Sequence, residues 1–277
     1  MSDLGKAEKL PRDIRYFNIS TLWIPYYRLV IKLLYKLKIP HEAVTLLSIF
    51  SGFVSAILFF QGNTVPAVIV LHLKDVLDAS DGAIARLTGR GHLLGRYLDS
   101  VGDFLVIIAV IISIIMRPES SGDLSLIFWG IAALISLFLQ CSFFNYYQLR
   151  YLEFHDTVTL KSKIDERHRD ISASQERSAA YRFLLAVFRL LYLVFYYWQD
   201  LIVRTIDKSL NRAPGKSPGY GSRRFMTLIS PLCFGTHIFV IIVAALFEKP
   251  LVGFIFIAVI MNIYLILLLY LRDRIAR

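Results

Sequence analysis

Residues 78–103 read "DASDGAIARLTGRGHLLGRYLDSVGD", and four aspartates fall there between stretches apolar enough for lipid. On a helix, Asp78, Asp81, Gly82 and Ala85 are spaced i, i+3, i+4 and i+7 and share one face. Gly95, Asp99 and Asp103 are spaced i, i+4 and i+8 and share another. If the "RLTGRGHL" turn folds the second helix back on the first, the two acidic faces meet. Clustered carboxylates repel one another and lose water on burial, so they either take up protons or bind cations. Hard divalent ions such as Mg2+ and Mn2+ suit carboxylate oxygens, and no Cys/His cluster is present to suit zinc or copper. Four carboxylates from two helices can hold a pair of ions about 3.5–4 Å apart, which neutralises a pyrophosphate. Arg86 adds a bidentate group for phosphate. Gly82, Ala85 and Gly95 remove bulk where the two backbones approach.

The elements that carry these residues are bilayer-length apolar runs. The chain has 277 residues, 56% of them apolar, with a mean hydropathy of +0.56. Runs of about twenty apolar residues span a bilayer. Six spans are expected, at roughly 43–60, 65–86, 92–116, 124–148, 225–247 and 251–271. Short connections at 61–63, 117–123 and 248–250 lie on one side. The N-terminus, the 87–91 turn, a long segment at about 150–224 and the C-terminus lie on the other, with nearly all the Lys and Arg. The positive-inside bias puts that second side, and both termini, in the cytoplasm, in the cell membrane if the source is prokaryotic.

Two further helices are expected to lie on the membrane rather than cross it. In 22–38, "LWIPYYRLVIKLLYKLK", Arg28, Lys32 and Lys36 form a basic stripe opposite Leu29, Ile31, Leu33, Leu34 and Leu37. The run 183–198 is short for a span and carries Arg189 near its middle, where a crossing helix would hold it at a cost of at least about 2.5–3.5 kcal/mol. It reads as interfacial or re-entrant. The fold class is therefore all-α integral membrane: six transmembrane helices, an N-terminal interfacial amphipathic helix, and another interfacial helix between the fourth and fifth spans. Residues 1–40 form the cytoplasmic N-terminus and surface helix, and 41–277 form one membrane domain with a cytoplasmic insertion at about 150–224.

The net charge of +10 fits contact with anionic headgroups, and nucleic-acid binding is not expected. Cys141 and Cys233 lie in apolar runs and read as small hydrophobes. No signal-peptide core precedes the first span, which would act as an uncleaved insertion signal. Lys74 and Asp75 read as a solvated pair, His237 as hydrogen-bonded to a neighbouring helix, and Tyr146 and Tyr147 as part of an aromatic belt. A cation transporter is the rival reading of intramembrane acids. It gives no reason for the added Gly, Ala and Arg.

The pattern D78-xx-D81-G82-xx-A85-R86, eight residues, then G95-xxx-D99-xxx-D103, resembles the signature of the CDP-alcohol phosphotransferase (CDP-alcohol phosphatidyltransferase) family. The resemblance implies a six-helix membrane enzyme of phospholipid synthesis, commonly a homodimer, with a site open to the cytoplasm. It implies transfer of a substituted phosphate from a CDP-linked donor, such as CDP-diacylglycerol, to an alcohol acceptor, with release of CMP. A transferase using CDP-choline or CDP-ethanolamine with diacylglycerol as acceptor shares the motif. By position Asp78, Asp81 and Asp99 would be metal ligands, and Asp103 a ligand and general base, around two divalent ions, Mg2+ or Mn2+. Gly82, Ala85 and Arg86 would contact the cytidine diphosphate, with Gly95 beside that pocket. Two departures stand out. Many relatives open the first span with P-N-x-x-T, whereas this chain has Pro40-His41-Glu42-Ala43-Val44-Thr45, and Thr45 keeps only the end of that pattern. "DERHRD" at 165–170 is a poor match to the "RPER" of inositol-phosphate users.

Overall fold

The computed structural model describes residues 14–18, 24–89, 93–118, 122–155, 178–210 and 218–275. Among these residues the secondary structure is helical, without strands. The helices are α1 (Ile24–Lys36), α2 (His41–Phe60), α3 (Thr64–Thr88), α4 (Leu93–Ile115), α5 (Leu124–Phe154), α6 (Ala179–Leu210), α7 (Arg223–Ile229), α8 (Phe234–Leu246), α9 (Pro250–Ile255) and α10 (Met261–Ile275). The long positive segment expected at 150–224 is partly α6. Its stretches 156–177, with "DERHRD", and 211–217 lie outside the described residues, as do Arg90, Gly91 and His92 of the turn.

Five helices are long and apolar enough to cross a bilayer, and a bent pair makes six. That set includes α6 and omits α3, which carries Lys74, Asp75, Asp78, Asp81 and Arg86. Packing explains both cases. The 25-residue α3 lies against α2, and its Leu71 and Ala67 are fully buried in the main core. The 32-residue α6 instead crosses the bundle at one end. It meets the first part of α4 through Tyr97–Tyr192 and through Tyr196, whose hydroxyl donates to the Ser100 carbonyl at 2.9 Å. It meets the last part of α5 through Ser142, which donates to Gln199 at 2.7 Å, and through Tyr146 and Tyr147 at Asp207. Arg182, Arg189, Asp200 and Arg204 line one flank of α6, while Phe183, Val187, Leu190, Val194, Tyr197 and Leu201 form an exposed apolar stripe beside it. A charged flank along the full length beside an apolar face is the pattern of a helix lying in the interface.

α1 divides its faces the same way. Tyr27, Ile31 and Leu34 pack on Val76, Leu77, Ala83 and Ile84 of α3, while Leu29, Leu33 and Leu37 stay exposed. Ile31 and Leu34, expected to face lipid, thus face protein. The stripe that docks α1 runs through positions 27, 31 and 34, more than a third of a turn from the one the basic residues define.

α2 is the wedge of the bundle. Its buried face includes Thr45, Ser48, Ser51, Gly52, Ser55 and Ala56, small residues that let other helices approach. Ser48 and Ser55 donate to the α3 carbonyls of Lys74 (3.1 Å) and Ala67 (2.8 Å). A Cβ on Gly52 would lie 2.3 Å from Val106 Cγ1, and one on Gly102 would lie 2.3 Å from Ile49 Cδ1, so α4 reaches α2 through two glycines. The connections turn on residues with positive φ, Gly62 (82°) and Gly89 (65°), which only glycine takes without strain. α3 and α4 both pack along α2 and make little direct contact with each other.

The fifth span, expected as one helix, is broken. α7 and α8 meet at 42° across Ser230–Cys233, where Pro231 removes a backbone donor. Residues 14–18 tuck against this break and α5. Tyr151 donates to the Ile14 carbonyl at 2.9 Å, and Ser230 donates to that of Phe17 at 3.0 Å. The sixth span runs Pro250–Ile275 with a π-helical turn at Phe256–Ile260. Gln140 of α5 accounts for it: its amide donates to the Ile257 carbonyl at 3.0 Å and to Asn262 at 2.8 Å. Its oxygen pairs with His237 Nε2 at 2.7 Å, so His237 does bond to a neighbouring helix.

Candidate active site

The first three turns of α4 and the second half of α3 face each other across a cleft backed by α2. Carboxylate oxygens of Asp78, Asp99 and Asp103 lie within 4.8 Å of one another, and all three residues are half-buried. The cleft exists because α3 and α4 diverge. The meeting expected from sequence occurs, but through side chains across a gap rather than through packed backbones. Gly82 shows the same thing. A Cβ there would meet its own Arg86 guanidinium at 3.3 Å and no neighbouring helix. Gly52 and Gly102 carry a close approach of α2 and α4, and Gly82 carries none. Gly95 and Ala85 are half-buried near the mouth, and Arg86 is exposed there.

Asp81 stands apart from the other three carboxylates. It is buried, and its Oδ2 accepts the Thr45 hydroxyl at 2.6 Å. Thr45 therefore touches a carboxylate of the motif from the first span. This partner follows from the fold alone, because 36 residues separate the pair.

Lys74 is the residue the sequence reading misplaced. It is fully buried and does not pair with Asp75. Its ammonium bonds to Asp103 Oδ1 and lies 3.7 Å from Asp78 Oδ2. It also sits 5.1 Å above the Phe234 ring of α8. Asp75 turns away and accepts the Tyr27 hydroxyl at 2.9 Å. Burial and the Asp75 carboxylate push the Tyr27 hydroxyl well above the ordinary phenol range. The available signal was spacing: Lys74 precedes Asp78 by four residues and so shares its face. On the other side of α3, a cavity of about 420 Å³ lies between α1, α3 and α8, lined by Tyr26, Val68, His72, Asp75, Ile238 and Phe239.

A second buried carboxylate, Asp207 of α6, is also missing from the sequence reading. Arg272 of α10 and Tyr147 donate to its Oδ1 at 3.0 Å each, and Tyr146 (2.8 Å) and Tyr220 (2.5 Å) donate to its Oδ2. Tyr146 and Tyr147 therefore serve this carboxylate rather than an aromatic belt.

The fold is a multi-pass integral membrane protein with an oxygen-rich, half-open cleft at one end of its spans. Such a cleft suits charged groups held at a lipid surface. The family model for CDP-alcohol phosphatidyltransferase matches residues 39–206, more than half the chain and all of α2 to α5, and the chain belongs to that family. Comparison with curated proteins and with solved structures gives no match. The protein is accordingly a transferase of substituted phosphate groups in phospholipid biosynthesis, with a CDP-alcohol donor, an alcohol acceptor and membrane lipids as surroundings. The family is generally dependent on divalent metals, and the donor set here fits one: three converging carboxylates, all hard oxygen ligands, with space between their helices.

Proposed function

We propose that the chain transfers a phosphatidyl group from CDP-diacylglycerol to a small polar alcohol and releases CMP. The convergence of Asp78, Asp99 and Asp103 in a cleft between two diverging spans carries this reading. Those three, with Asp81 held by Thr45, would ligate two Mg2+ or Mn2+ ions. Bound there, the ions neutralise the pyrophosphate charge. Asp103 takes the proton of the acceptor hydroxyl as its oxygen bonds to the β-phosphorus. The bond from that phosphorus to the bridging oxygen breaks, and CMP carries the oxygen away. Arg86, at the exposed mouth, holds donor phosphate, and Gly82 leaves room beside it for the cytidine diphosphate. Alignment and charge neutralisation are most of what such a transfer requires.

The basic loops support a cytoplasmic cleft and cytoplasmic termini. The packing of α1 on α3 supports residues 1–40 as an adjunct to a single membrane domain over 41–277. A homodimer is proposed from the family alone. The test is purified protein in lipid nanodiscs with CDP-diacylglycerol or CDP-choline, Mg2+ and a panel of alcohols, diacylglycerol included. CMP and a new phospholipid are expected with CDP-diacylglycerol. Product with CDP-choline and diacylglycerol alone would overturn the donor assignment.

A further inference from the structure

Lys74 has no place in the chemistry described so far, yet its burial is costly. An ammonium taken out of water must be offset by partners of opposite charge. The space it fills needs no charge. Its backbone carbonyl is held by Ser48, and its ammonium also lies over the Phe234 ring, so its aliphatic stem runs through packed protein that a methionine can occupy without the charge. The opposite charges it meets are Asp103 and Asp78, two of the three carboxylates that converge. α3 sets this contact by the four-residue spacing, and α4 completes it across the cleft.

We propose that Lys74 is a resident counter-ion of the cleft, which balances the carboxylates when no divalent ion is bound and competes with divalent ions for Asp103. The inference rests on the metal reading above. Its consequence is linkage. Ions bind weakly to the free cleft, because they must displace the ammonium, and tightly once a nucleoside diphosphate adds its own negative oxygens. Lys74 thereby makes metal loading depend on the donor. It is a positioning residue, acting through Asp103, with no contact to substrate assigned.

The experiment compares the full chain in nanodiscs with Lys74→Met, Lys74→Arg and the double variant Lys74→Met/Asp103→Asn. Mn2+ binding is read by electron paramagnetic resonance with and without CDP, and thermal stability with EDTA and with Mn2+. Lys74→Met is expected to bind Mn2+ about tenfold more tightly without CDP, and the enhancement by CDP is expected to shrink accordingly. Its melting temperature should fall in EDTA and recover in Mn2+. Lys74→Arg should keep the wild-type stability in EDTA. The double variant, which removes one charge of each sign, should regain stability in EDTA relative to Lys74→Met. Equal destabilisation of Lys74→Met with and without Mn2+, at unchanged Mn2+ affinity, would overturn the counter-ion role and leave the metal reading standing. So would a double variant no more stable than the single one. Absence of Mn2+ binding in the wild type, with CDP present, would overturn the metal reading and the counter-ion role with it.

Discussion

Two buried acidic centres stand at the same end of this bundle and have opposite constitutions. Asp207 is 2% exposed, and both its oxygens are filled by Arg272 and three tyrosine hydroxyls from α5, α10 and the turn at Pro218–Gly221. Nothing from outside is needed to complete it. The cleft at Asp78, Asp99 and Asp103 is half-buried and sets three converging carboxylates against the ammonium of Lys74, with Asp81 held apart by Thr45. A closed set of partners ties helices together, whereas an open excess of one charge calls for a ligand. The two differ in construction as well. The Asp207 network draws on distant parts of the chain, while the cleft is built by one helical hairpin leaning on α2.

If the comparison is right, damage to the two centres should read out in different assays. The largest effect is expected for Asp103→Asn, a loss of CMP release of about 10²–10⁴-fold, the range of a lost general base. Its melting temperature should fall as well, because the buried Lys74 ammonium loses its nearest carboxylate and keeps only Asp78, and a normal rate would remove Asp103 from the chemistry. Asp207→Ala leaves the buried Arg272 with only the exposed Asp273 as a carboxylate partner and should cost about 3 kcal/mol of stability, as breaking a buried pair does. Thermal unfolding in nanodiscs measures it, and the Mn2+ affinity of the fraction still folded should be unchanged. Gly102→Ala presses on Ile49 and should cost about 1–3 kcal/mol by overpacking α2 against α4. Because Gly102 adjoins Asp103, CMP release should fall with it. Thr45→Val removes the hydroxyl on Asp81 and should show the smallest change, about 1 kcal/mol in donor binding, read as a raised Kd for CDP.

The same contrast marks what sequence could and could not disclose. The cleft lies within 26 residues on two successive helices, so helical periodicity put Asp78, Asp99 and Asp103 on facing surfaces before any coordinates were known. Lys74 obeyed the same periodicity, but neighbouring Asp75 offered a nearer partner in the chain. Asp207 and Arg272 are 65 residues apart, and no local pattern links them. Thr45 and Asp81 meet only because α2 wedges between α3 and α4. The small-residue face of α2, with Ser48, Gly52, Ser55 and Ala56, was passed over, because which helices it serves depends on where α4 leans. The bend at Pro231 and the π-helical turn under Gln140 were hidden by strongly apolar runs, in which hydropathy does not register a break.

The most direct test of the cleft as a divalent-ion cradle is the number of Mn2+ ions held per chain when CDP is bound, counted by electron paramagnetic resonance on wild type and Asp99→Asn. Two ions per wild-type chain, and loss of at least one in Asp99→Asn with the fold intact, is the predicted result. Equal uptake by both proteins, or none by the wild type, would contradict it.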